Sequence, residues 1–94
     1  MYVVIHEGMA PAAEGGTLAR QLGPDGELAR ERRLEPGYLG SLLLVGRPVV
    51  DGDAAFLLLE MWDDRVGPVS GSRLPGVAPP IAWTRGPRVF FAMR

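Results

Sequence analysis

Two side chains in this sequence could transfer protons. His6 is the only histidine, and it lies in the apolar stretch that begins at Tyr2. Its imidazole could act as a proton shuttle near neutral pH, or it could be a hydrogen-bonded core histidine. Glu60 interrupts an apolar run, and a carboxylate buried in such a run needs a partner. It is either a general base or one half of a structural ion pair with Arg47, Arg88 or an arginine of a second subunit.

Three further side chains could contact a substrate. Trp62 lies two residues after Glu60, so both point to the same face of a strand. Trp83 and Arg85 lie at the end of a long segment rich in proline and glycine, residues 63–87, and long irregular segments are often binding loops. Together they could hold an aromatic or anionic ligand. The alternative role for each of them is packing in the core, at an interface or on the surface.

Composition limits the class of protein. A chain of 94 residues forms one domain, residues 1–94. With no cysteine and one histidine, it offers no disulfide and no thiolate or histidine cluster for a metal. A net charge of −1 argues against nucleic acid as a partner.

Hydropathy predicts where the protein resides. The apolar runs are shorter than the roughly 18 residues that a membrane span needs. The first residues lack the basic region of a signal peptide. We therefore expect a cytoplasmic protein, and the bias towards glycine, proline, alanine and arginine, without lysine or asparagine, indicates a GC-rich bacterial genome.

The hydrophobic pattern predicts four strands and a short helical region. A kinked helix or two short ones should begin at Thr17, break at the Gly-Pro-Asp-Gly stretch and end near Glu35. Residues 63–87 hold too many prolines and glycines for a helix. The strands are predicted over residues 2–9, 38–47, 54–62 and 88–94. This order fits an α+β, ferredoxin-like antiparallel sheet in which the first and third strands are central.

Both faces of this sheet are apolar. In the third strand Phe56 and Leu58 point one way, whereas Leu57 and Leu59 point the other way. The helical region and the segment 63–87 can together cover one face, and nothing then remains for the second. The alternative is that these two elements split and cover both faces of a monomer. A bare apolar face of that size is unusual in a monomer, so we expect a homodimer that pairs sheet to sheet.

The stretch from Glu35 to Asp64 resembles the antibiotic-biosynthesis monooxygenase domain family. The shared features are the Pro36-Gly37-Tyr38 turn before a strand and an apolar strand that ends in Glu60-Met61-Trp62-Asp63. Residues 1–9 are similar to the family's first strand, so the resemblance covers roughly two-thirds of the chain. It implies a dimeric α/β barrel, in which the sheets of two subunits face each other.

The sequence departs from this family after Trp62, where residues 63–87 replace the second helix. In haem-degrading members that helix supplies a histidine and a tryptophan, and neither has a match here. The resemblance therefore implies no haem and no other cofactor. It is consistent with a cofactor-independent monooxygenase of an aromatic or quinol-type compound, with His6 or Glu60 as base. The alternative is a non-catalytic ligand-binding or structural dimer of the same fold.

Overall fold

The computed structural model describes residues 1–47, 52–65 and 75–92 of the chain. It shows an α+β fold in which a thin helical layer covers one face of an open four-stranded antiparallel sheet. A 3₁₀ turn joins the first strand to the first helix. The elements in chain order are β1 (Tyr2–Pro11), the 3₁₀ turn (Ala12–Glu14), α1 (Gly15–Leu22), α2 (Glu27–Arg32), β2 (Tyr38–Val45), β3 (Asp53–Trp62) and β4 (Ala82–Phe91).

The two inner strands of the sheet are β1 and β3, as the sequence predicted. The strand order is β2-β3-β1-β4, and every neighbouring pair is antiparallel. β1 and β3 pair without a break from Tyr2 opposite Trp62 to Pro11 opposite Asp53. The predicted hairpin between β2 and β3 is also confirmed. Asp51, expected in its turn, lies outside the described residues.

The core lies between the sheet and the helical layer. Alternate residues of β1 and β3 point into it, as the strand period of two requires. All of these side chains are almost fully buried, and they are Tyr2, Val4, His6 and Ala10 from β1 and Ala54, Phe56, Leu58, Glu60 and Trp62 from β3.

The helical layer is short and has a narrow apolar stripe. Leu18 and Leu22 are four residues apart on α1, and both are buried against the sheet. Thr17 does not begin the helix, because α1 already includes Gly15. Its hydroxyl instead donates a hydrogen bond of 2.8 Å to the Glu14 carboxylate. α2 ends at Arg32, three residues before the predicted end.

The last strand begins earlier than predicted. Trp83 and Arg85 were expected in an irregular segment, but both belong to β4. β4 is an edge strand, and its register against β1 shifts on both sides of Glu7. Edge strands with bulges tolerate glycine and proline, which is why Gly86 and Pro87 can lie within this strand. Of the predicted irregular segment, residues 66–74 lie outside the described residues.

The face of the sheet opposite the helices carries mostly apolar side chains. Leu42, Leu44 and Phe90 are each about half exposed there. We call this surface the open face. The strand register places on it Val3, Ile5, Glu7 and Met9 of β1, Leu42 and Leu44 of β2, Leu57, Leu59 and Met61 of β3, and Arg85, Arg88 and Phe90 of β4. In the part of the chain that the structure describes, no helix is long and apolar enough to cross a membrane.

Candidate functional site

Three ionisable side chains meet in the core between the sheet and α2. His6 Nε2 lies 2.7 Å from Glu60 Oε1, and Arg32 Nε lies 2.8 Å from Glu60 Oε2. His6 and Glu60 are both 0% exposed, and Arg32 is 8% exposed. We call these three side chains the buried triad.

The strand register brings His6 and Glu60 together. His6 pairs with Leu58 and Glu60 with Val4, so His6 and Glu60 are diagonal neighbours on the same face of the sheet. Arg32 is the last residue of α2, and the same face of this helix carries the buried Ala29. The triad therefore depends on both the pairing of the inner strands and the docking of α2.

Hydrogen bonding determines which nitrogen of His6 carries a proton. The Arg32 guanidinium has only protons to give, so Glu60 Oε2 is the acceptor of that bond. Glu60 Oε1 is likewise an acceptor, which requires His6 Nε2 to donate. The neutral imidazole then keeps its lone pair at Nδ1. That atom is buried and has no hydrogen-bond partner among the described residues.

The surroundings of His6 are aromatic. The Trp83 ring lies 5.6 Å from the imidazole and 5.4 Å from the Phe56 ring, measured between centroids. Trp83 Nε1 donates to the carbonyl of Pro75 at 2.8 Å. Opposite His6 the ladder between β1 and β4 is irregular, and β-bulges occur often beside active sites because they redirect side chains.

A second aromatic group, Trp62 with Tyr38, lies beside Arg32. The guanidinium is 6.0 Å from the centroid of the Trp62 ring, within the range of a cation–π contact. Tyr38 packs edge-on against Trp62 at 5.3 Å. Burial raises the pKa of the Tyr2 phenol above its ordinary value, and the negative charges of Glu60 and Glu35 raise it further. The rings of Trp62 and Tyr38 pack beside Arg32 and help to hold it in place, and Arg32 in turn holds Glu60.

The structure brings together four of the five residues that the sequence suggested. Glu60 touches His6, Trp83 packs on His6, and Trp62 lies under Arg32, fully buried. Arg85 lies elsewhere, exposed and paired in register with Glu7 on the open face.

The partner of Glu60 was predicted wrongly. The sequence suggested Arg47, Arg88 or an arginine of a second subunit, whereas the contact is made by Arg32 of the same chain. The charge pattern around Arg32 is typical of a solvated helix face, and Arg33 on this stretch is indeed exposed. The signal that could have identified Arg32 is its spacing of three residues from Ala29, which places both on one side of the helix.

The charged groups form no metal site among residues 1–47, 52–65 and 75–92, since no three acidic or histidine side chains there are grouped to bind a metal ion.

An apolar groove of about 350 Å³ lies at the end of the β2–β3 hairpin, away from the buried triad. Its lining includes Leu44, Val45, Ala55 and Leu57.

Comparison with protein-family models, with curated proteins and with solved structures gives no match.

Proposed function

We propose that this protein is a cofactor-independent monooxygenase of the antibiotic-biosynthesis monooxygenase type, acting on an aromatic or quinol-type compound. Its sheet is of the ferredoxin-like type, and two copies pair through the open face. The observation that supports this function best is the His6 Nδ1 atom, which has no hydrogen-bond partner among the described residues, on an imidazole held by Glu60 and, through it, by Arg32.

His6 acts as the general base in this proposal. A carboxylate that accepts the Nε2 proton holds the imidazole in one tautomer and stabilises the imidazolium that forms when Nδ1 takes a proton. Arg32 donates to Oε2 and so holds the Glu60 carboxylate in place beside His6. Glu60 is then a positioning residue, because it acts on the substrate only through His6.

The base makes the substrate electron-rich enough to react with molecular oxygen. Removal of a proton from a hydroxyl or acidic methylene leaves an anion, which passes one electron to oxygen. The resulting radical pair joins as a carbon-bound peroxide, and loss of water leaves a carbonyl. In the balance, the methylene loses two hydrogens, one oxygen atom stays on carbon, and the other leaves as water.

Aromatic side chains beside His6 match such a substrate. The partly buried Trp83 ring lies next to the imidazole and packs on Phe56, and an aromatic compound could stack on Trp83. Trp83 is only partly buried, so the proposed route to Nδ1 passes this side chain. Exclusion of water from the pocket would favour transfer of charge to oxygen.

Oxygen uptake with a panel of hydroquinones and hydroxyanthrones tests the proposal. A general base contributes typically 10²–10⁴-fold, so His6→Gln should lower kcat/KM by about 100-fold or more. Glu60→Gln should cause a similar loss, because its amide donates to Nε2 and moves the imidazole proton to Nδ1. Nitrogen NMR of the imidazole should show that change of tautomer. Glu27→Gln, on the exposed side of α2, is the control and should keep full activity.

Full burial of the triad favours a second candidate function, a non-catalytic ligand-binding or structural dimer. His6 and Glu60 are each 0% exposed and Arg32 is 8% exposed, as expected of a core ion-pair cluster. Under this alternative no compound of the panel raises oxygen uptake above the uncatalysed rate. Oxygen uptake that His6→Gln leaves unchanged would also refute the proposed base.

A further inference from the structure

The open face is large enough to bind another protein. From Val3 to Met9 it is about 20 Å long, and four strands with their side chains make it about 20 Å wide. Its projected area of about 400 Å² is comparable to the largest apolar patches of monomers, about 300–600 Å², which are often functional.

An incomplete ion pair lies within this apolar surface. Arg88 Nη2 is 3.5 Å from Glu7 Oε2, which is too long for a good hydrogen bond. Arg88 Nε is buried and has no hydrogen-bond partner among the described residues. A buried N–H without an acceptor is destabilising, so the Nε of Arg88 lacks an acceptor that the long contact with Glu7 does not supply.

We propose that a second copy of this chain covers the open face and that Glu7 and Arg88 exchange partners across the interface. This inference rests on the homodimer of the proposed function and adds the contact that fixes it. A two-fold axis that lies in the interface and passes over the pair sets each Glu7 against Arg88 of the other copy. The exchange supplies the missing acceptor twice.

The mixture of charges on the open face favours a second copy over an unrelated partner. Glu7 and Arg88 are adjacent and of opposite sign, so a partner with one sign of charge would meet a like charge at one of them. An identical surface turned by a two-fold axis offers both signs in the complementary positions. The surrounding leucines and Phe90 supply apolar area from each copy.

Charge reversal tests the exchange. The wild-type chain should be dimeric by sedimentation and light scattering at micromolar concentration. Glu7→Arg and Arg88→Glu should each weaken the dimer by about 100-fold, because like charges then meet twice across the interface. An equimolar mixture of the two variants should restore dimerisation as a heterodimer, which native mass spectrometry resolves by mass.

The mixture separates exchange between copies from pairing within one chain. If Glu7 and Arg88 pair only within each chain and make no contact across the interface, neither charge reversal weakens the dimer and the mixture shows no preference for the heterodimer. That result overturns the exchange while leaving a wild-type dimer intact. A wild-type chain that is monomeric at all accessible concentrations overturns the dimer itself. The proposed monooxygenase activity is tested separately, by oxygen uptake that depends on His6.

The matched control is the exposed pair Arg20 and Glu27 on the helical layer, 3.9 Å apart and away from the open face. Glu27→Arg and Arg20→Glu should dimerise as the wild type does, and their mixture should show no preference for the heterodimer. If a charge-reversed open-face variant does not fold, Glu7→Gln and Arg88→Gln replace it. Each should weaken the dimer about tenfold, and unchanged dimerisation of both would overturn the exchange.

Discussion

Replacing Arg32 by methionine should strongly destabilise the fold. The change leaves Glu60 fully buried with one of its two bonds gone, because Arg32 Nε supplies the contact at 2.8 Å to Oε2. Breaking a buried ion pair from one side costs about 3–5 kcal/mol. His6 still donates to Oε1, so we expect the lower end, about 3 kcal/mol.

This loss is large for a domain of this size. A chain of 94 residues has a free energy of unfolding of roughly 5–14 kcal/mol. Each kcal/mol lowers Tm by roughly 4–8 °C in domains of 60–100 residues, so Arg32→Met should lower it by roughly 12–24 °C. Urea unfolding followed by tryptophan fluorescence and circular dichroism measures the free energy directly.

Arg33→Met is the matched control, because Arg33 is the next residue, is half exposed and pairs with the exposed Asp25. Its effect should stay within about 0.5 kcal/mol. Adding Glu60→Gln to Arg32→Met should recover roughly 2 kcal/mol, since the buried negative charge is removed. If Arg32→Met and Arg33→Met are equally stable, Glu60 does not need the guanidinium and the account of the buried triad is wrong.

Two further predictions concern Gly8 and Tyr2, both in β1. Gly8→Ala should lower the free energy of unfolding by about 1–3 kcal/mol in urea, because its Cβ would lie 2.5 Å from the Phe56 ring and 2.7 Å from the Ala82 carbonyl oxygen. Gly16 is a helical glycine with open space around it, so Gly16→Ala should be neutral or stabilising. Equal effects of the two substitutions would contradict the close approach at Gly8. Burial raises the pKa of the Tyr2 phenol above 10.0, so the unfolded chain loses the phenol proton at a lower pH than the folded chain does. The contribution of Tyr2 to the free energy of unfolding is therefore fully present below pH 10 and should fall as the pH rises further. Tyr2→Phe should lessen this alkaline loss, measured by urea unfolding at roughly pH 9 and pH 11, whereas an unchanged slope would mean that Tyr2 titrates as in the unfolded chain.

The pattern of apolar residues was sufficient to predict the sheet. Strands with apolar side chains at every position, such as Phe56 to Leu59, must be covered on both faces, and inner strands are the ones most often covered. The structure confirms that β1 and β3 are the inner strands and that Leu57 and Leu59 point to the face opposite the helices. Which molecule covers that face stays a prediction.

The start of β4 could not be predicted from local signals. Gly86 and Pro87 are strong turn formers, so the sequence suggested that the strand begins after them. They fit inside the strand because β4 is an edge strand with register shifts, and both properties belong to the assembled sheet. Trp83 consequently lies on a strand beside His6 and not on a loop.

The sequence by itself determined that His6 and Glu60 could do chemistry and that both lie on strands. His6 is the only histidine, and Glu60 and Trp62 share a face because side chains alternate along a strand. Only the tertiary structure decided that His6 meets Glu60, which is 54 residues away, and that Arg32 completes the triad. A two-residue slip in the pairing of β1 and β3 would keep every side chain on its face and still separate the two groups. Register and helix docking are set by the whole core, and alternation along a single strand does not specify them.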